Sequence, residues 1–219
     1  MPLDPHRRPA LMRRLAGTLG LSSVGLLAIA LGVFASLDPE FHPLQDYVSK
    51  LGARGQPHAL GWNLLGFVAP GVLFTGFGIA YGRLLQDRTV GVLLALFGIG
   101  FATAGVPIDL GDEASSLSKA HIVALCLGLG AFLLCLARMT HRPSLGRWVH
   151  RSASVAATLL VLAMAGQVAQ LWAMPVTHRL VFAVVFVWLA TTSTRLLREP
   201  LDLAGRHETA RTEAQGSPG

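Results

Sequence analysis

Six apolar stretches of about 20 residues, separated by short polar connectors, leave this 219-residue chain few ways to fold. They run from Leu15 to Ser36, Leu60 to Gly82, Thr89 to Ile108, Ala120 to Ala137, Ala153 to Ala173 and His178 to Leu197. A helix rises about 1.5 Å per residue, so such stretches can cross a hydrocarbon layer of about 30 Å. Lipid offers no partner to backbone N–H and C=O groups, so each must cross as a helix. Composition agrees: 14% of residues are charged, against about 25% in soluble domains, and mean hydropathy is +0.53. Two cysteines are too few for a disulfide-stapled secreted fold, and so apolar a chain is not a disordered one. The expected fold is all-α, a polytopic transmembrane bundle of six helices over residues 15–197. A basic tail over residues 1–14 precedes it. Residues 198–219, rich in Gly, Thr, Glu, Gln and Ser, read as a disordered tail.

Lysine and arginine set the expected orientation, because cytoplasmic loops retain them. With six spans both termini share a side, and that side carries 14 of the 18 basic residues, from Arg7 to Arg211. The other side holds Lys50, Arg54, Lys119 and Arg179, while the 12 acidic residues divide evenly. Both termini are therefore expected in the cytoplasm, with the chain in the cytoplasmic membrane. The first apolar run exceeds the roughly 7 to 15 residues of a signal-peptide core, so it reads as a retained anchor. The net charge of +6 sits along membrane edges with no aromatic-interleaved basic patch, which points to membrane lipids as partners and not to nucleic acid.

Within the spans, glycine concentrates in the second and third, at Gly61, Gly66, Gly71, Gly76, Gly78 and Gly82, then Gly91, Gly98, Gly100 and Gly105. Small residues let helices approach closely in lipid, so these two are expected to touch. Pro70 removes a backbone donor and is expected to kink the second span.

Polar residues at membrane depth are costly, so their grouping is informative. Asn63, Asp109, His121, Gln167, Gln170 and His178 all fall at the outer end of their spans. Gln167 and Gln170, three apart, are expected to share a helix face. The first outer loop, Leu37 to Ala59, carries Leu44, Tyr47, Val48 and Leu51 at helical spacing, with Gln45, Asp46, Ser49 and Lys50 facing the other way. That pattern predicts a short surface helix capped by Asp38-Pro39, lying as a lid over the outer end. The leading expectation is an extracytoplasmic polar cluster that binds a lipid headgroup or small amphiphile without a cofactor. Asp46, Asn63, Gln167, Gln170, His178 and Arg179 are its expected ligand-binding residues.

An intramembrane hydrolase is the alternative. Asp109 and His121 would act as an acid/base pair with Ser49 or water as nucleophile, on a lipid-like substrate. In its zinc form His121, His178 and Asp109 would hold the metal, which would activate water. No H-E-x-x-H, C-x-x-C, nucleophile elbow or phosphate loop is present. A small-molecule transporter is the second alternative, weakened by a midplane almost bare of polar groups apart from Thr75.

The segment His42-Pro43-Leu44-Gln45-Asp46-Tyr47-Val48-Ser49-Lys50-Leu51-Gly52-Ala53, the third span closing on Asp109, His121 opening the fourth span, and His178-Arg179 with Trp188 in the last together resemble the bacterial six-span membrane proteins of domain-of-unknown-function family nine-nine-eight. Lys50 and His178 stand where that family often has an acidic residue. The resemblance implies the fold and a membrane location, but no reaction. It marks Ser49, Asp109 and His121 as the matching positions.

Overall fold

The computed structural model describes residues 7–112 and 114–198, and the expected C-terminal tail from residue 199 onward lies outside the described residues. Among them the chain is helical, without strands. Six helices form: α1 (Arg7–Leu37), α2 (Ala59–Leu84), α3 (Arg88–Thr103), α4 (Ser116–Thr140), α5 (Arg147–Val168) and α6 (Met174–Arg198). Five are long and apolar enough to span a membrane. Helix α1 starts inside the predicted basic tail.

Each helix packs against its neighbours in the sequence, and α6 returns to close against α1. Closure brings the start of α1 to the end of α6: a Cβ on Gly17 would lie 2.6 Å from Leu197 Cγ and 3.0 Å from Ser193 O. The helix ends that carry the polypeptide's two termini thus share one face of the bundle. Arg83, Arg88, Arg138 and Arg147 at helix ends, and Arg142 on a connector, fall at that same face. Aromatic rings fill the middle of the ring of helices. Phe74 of α2 meets Phe97 of α3 at 4.6 Å between centroids, and Phe132 of α4 meets Trp188 of α6 at 5.4 Å. Phe101 of α3 reaches Phe186 of α6 at 5.4 Å. These side chains are long enough to join helices whose backbones are not neighbours, and such pairs contribute about 0.5–1.5 kcal/mol beyond the area they bury.

The expected contact of the glycine-rich helices is the tightest in the bundle. Gly71, Thr75, Gly78 and Gly82 of α2 face Ala102, Gly98, Ala95 and Gly91 of α3 in antiparallel register. The intervals of four, three and four residues keep both stripes facing each other over three turns. A Cβ on Gly78 would sit 2.7 Å from Ala95 N, and one on Gly98 would sit 2.5 Å from Thr75 N. Backbone meets backbone here, which is how helices gain packing energy where lipid provides no hydrophobic drive.

Helix α3 is shorter than its apolar run predicts. It stops at Thr103, and Ala104 to Asp109 continue without helical structure. Pro107 is the cause, because its ring holds Val106 out of the helical region and it has no N–H to give. Helix α5 also ends early, at Val168 and not Ala173. Leu171 N–H bonds to Gly166 O at 2.9 Å and Gln170 N–H to Gln167 O at 3.0 Å, with Gln170 at φ 55°. This is a Schellman cap with glutamine where glycine is usual. Gln167 and Gln170 therefore do not share a helix face, contrary to expectation. The irregularity expected at Pro70 takes the form of a π-helical stretch, Asn63–Val68, just before the proline.

The turn from α2 to α3 ends on Asp87. Its carboxylate accepts the Val90 N–H at 3.1 Å, capping α3, and both oxygens accept from Arg138 Nε at 2.9 and 3.0 Å. Arg142 adds a contact at 3.5 Å. Burial of this side chain, 2% exposed, by itself pushes its pKa up. The bonds from Arg138 and Val90 and the two guanidinium charges outweigh that and hold it below the ordinary 3.8. A depressed carboxylate stabilises the fold above its unfolded-state pKa, and the contribution fades as pH falls through the folded value.

Two outcomes follow for the purified protein. Gly78→Leu should cost about 1–3 kcal/mol through overpacking, whereas Gly25→Ala, with nothing within 4 Å, should be neutral or gain about 0.5 kcal/mol; thermal unfolding in detergent reads both. Asp87→Asn should cost about 1–3 kcal/mol at neutral pH. The difference in melting temperature between that variant and the wild type should shrink as pH drops below 3.8, and a constant difference down to strongly acid pH would exclude the ion pair as its source.

Candidate functional site

On the face opposite the arginine-rich one, the chain from Asp38 to His58 crosses the bundle as a lid. It holds no α-helix: Val48–Gly52 is a single 3-10 turn, and the Asp38 carboxylate accepts from Glu40 N–H at 3.0 Å within a tight turn instead of capping a helix. Asp46 diverts the backbone, accepting the His42 N–H at 2.8 Å and the Lys50 ammonium at 2.9 Å. The His42 bond and then Lys50 hold the Asp46 carboxyl below its usual range, against a small opposing effect of burial. Side-chain hydrogen bonding of this kind competes with helix formation, which explains why the helical spacing was not realised.

Three elements clasp the lid. From α6, Arg179 donates to Asp46 O at 2.5 Å, and the His178 ring lies 5.1 Å from that of Tyr47. From α2, the buried Asn63 donates to Gly52 O at 2.9 Å, where any Cβ on Gly52 would collide with the Asn63 amide. From the connector between α3 and α4, Ile108 O accepts the Arg54 N–H at 2.9 Å, and Asp109 Oδ1 accepts from the Arg54 guanidinium at 3.4 Å.

Asp109 and His121 occupy separate roles in this frame. The Asp109 N–H donates to Ser118 Oγ at 3.0 Å, and Ser118 in turn donates to Asp112 O at 3.2 Å. Ser115 caps α4 by accepting the Ser118 N–H at 3.2 Å. His121 is buried edge-on to Phe67, with Nδ1 2.6 Å from Ala104 O. A carbonyl is an acceptor, so Nδ1 carries the proton and donates. This bond satisfies a carbonyl left open where α3 ends. Ser49 lies half-buried in the 3-10 turn, and its hydroxyl makes no hydrogen bond among the described residues.

Gln167 is drawn elsewhere: its Oε1 accepts from Thr177 Oγ1 at 2.8 Å, and Thr177 accepts from Trp172 Nε1 at 3.0 Å. Gln170 is exposed. The polar residues at this face thus form three neighbourhoods: Asp46, Lys50, His178 and Arg179 over α6; Arg54, Asn63, Asp109 and His121 around α2 to α4; and Gln167 with Thr177 between α5 and α6. Among the described residues, no three His, Cys, Asp or Glu side chains group closely enough to hold a metal ion. His178 of the first neighbourhood and His121 of the second remain close enough to interact electrostatically.

Beside the second neighbourhood lies a cleft of about 360 Å³, open to the side and lined by Arg54, Gly55, Ala59, Leu60, Asn63, Leu64, Val68, Gly105 and Pro107. It opens where the α2–α3 seam stops. Below it the helices touch backbone to backbone; beside it α3 has unwound and α2 runs through its π-helical stretch, and the two still meet, a Cβ on Gly105 falling 2.8 Å from Val68 Cγ2 and 3.2 Å from Asn63 O. Of these lining residues, sequence reasoning singled out only Asn63. Pro107 inside an apolar run was the available signal for the rest, since it marks where a helix must end.

No curated protein and no solved structure matches the chain. The chain belongs to the family described as protein of unknown function (DUF998), whose model matches residues 22–197.

Proposed function

We propose that this DUF998 protein is a multi-pass protein of the bacterial cytoplasmic membrane, with both termini in the cytoplasm, that binds a lipid headgroup or small amphiphile at its lid face. The orientation rests on the arginines gathered at the terminal face. The binding reading rests on one observation: the cleft between α2 and Gly105–Pro107 joins an apolar wall to two polar lining residues, the exposed Arg54 and the buried Asn63. Pockets that take amphiphilic ligands combine these two features. The lid, held from α2, α6 and the α3–α4 connector, gives the cleft mouth a fixed shape. A hydrolase reading gains no comparable support. Ser49 has no base as partner, Asp109 is engaged with Arg54, and the Nδ1 proton of His121 is committed to Ala104 O.

Leu64 is half-exposed on the cleft wall, so Leu64→Trp should fill the cleft without disturbing the core. Mass spectrometry of lipid retained through detergent purification should find a bound amphiphile in the wild type and at least several-fold less in this variant. Equal retention in the two proteins at matched thermal stability would reject the cleft as the binding site.

A further inference from the structure

Resting on that reading, we infer that the cleft's occupant is an anionic amphiphile. Its headgroup sits on the Arg54 guanidinium and a single acyl chain lies along Leu60, Leu64 and Val68. These three residues recur at intervals of four on α2 and form a continuous apolar strip along the cleft. Leu60 and Leu64 are 74% and 47% exposed, so the strip faces outward, where a lipid tail enters sideways. The volume, about 360 Å³, lies near the lower end of the roughly 300–1,000 Å³ of ligand pockets; it suits one chain and not two.

The charge at the mouth selects the headgroup. Three cations in and near the lid can be compared by what they already hold. Lys50 is taken by the Asp46 carboxylate and Glu40 O, at 2.9 and 3.0 Å. Arg179 is taken by Asp46 O and Pro175 O. Arg54 has a side chain 64% exposed and a single long contact, 3.4 Å, to Asp109. A guanidinium carries five N–H donors in a planar fork suited to phosphate or carboxylate oxygens, so most of the Arg54 donors are available to a ligand. Asp109 is the one acidic neighbour in contact with Arg54 among the described residues, and its carboxylate competes with an incoming anion. Removing that charge should therefore strengthen binding, which is opposite to what a catalytic carboxylate predicts.

The test uses the full chain in neutral detergent, titrated with lysophosphatidylglycerol, lysophosphatidylcholine of the same chain length, and inorganic phosphate, with binding read by calorimetry. Wild type should bind the anionic lipid about ten-fold more tightly than the zwitterionic one, the equivalent of one charge-assisted hydrogen bond. Arg54→Gln should bring that ratio to about one, Asp109→Asn should raise it, and millimolar phosphate should leave lipid binding unchanged. Equal affinity of wild type for the two lipids, or a preference that survives Arg54→Gln, overturns the anionic inference while leaving an amphiphile site standing. Displacement by phosphate overturns the lipid source. If neither lipid binds, or Leu64→Trp binds both as wild type does, the cleft reading itself fails.

Discussion

The seam between α2 and α3 is the contact from which the rest of the architecture follows. In lipid, helices gain nothing from burying apolar side chains against one another that the solvent does not already give, so closeness of approach decides which pairs are held firmly. Gly71, Gly78 and Gly82 against Ala102, Ala95 and Gly91 bring two backbones together with only small side chains between them. A seam that tight must stop somewhere, and it stops where Pro107 ends the helical run of α3. The cleft lies beside the unwound segment that follows, lined by Gly105 and Pro107 against α2.

An unwound segment at membrane depth needs partners for its carbonyls. His121 supplies one to Ala104, and the Arg54 backbone supplies one to Ile108. His121 and Arg54 thus keep a non-helical stretch of chain in place beside an apolar cleft. Arg54 serves twice, its backbone holding the connector and its side chain standing at the cleft mouth. At the opposite face Asp87 ties the α2–α3 turn to Arg138 of α4, fixing the other end of the seam's second helix.

The six helices were legible because hydropathy over 20 residues is a strong signal, although only five of them are long and apolar enough to span a membrane, and the α2–α3 contact was legible from glycine content. What escaped was local. Helix α3 was read too long because its apolar run continues through Pro107, and apolar character does not report where hydrogen bonding stops. Helix α5 was read too long because Gln170 occupies a left-handed position that glycine usually marks. The lid helix was expected from spacing alone, whereas Asp46 captures the His42 N–H and Lys50 in a folded turn. Asp87 drew no notice, since a lone aspartate before an apolar run reads as an ordinary cap until Arg138 and Arg142, more than 50 residues away, are seen to meet it. The grouping of polar residues at one face was sound in outline, yet their division into three neighbourhoods depends on tertiary contacts that no single helix encodes.

The arrangement of two opposed faces, a lid with its cleft on one and the arginine-rich connectors on the other, is tested most directly by cysteine labelling in intact cells. In a background with Cys126 and Cys135 replaced, single cysteines at His58 and Gly111 should react with a membrane-impermeant maleimide. Cysteines at Arg83 and Ser144 should react only after the cells are opened. Labelling of the Arg83 or Ser144 position in sealed cells, alongside that of His58, would contradict the account.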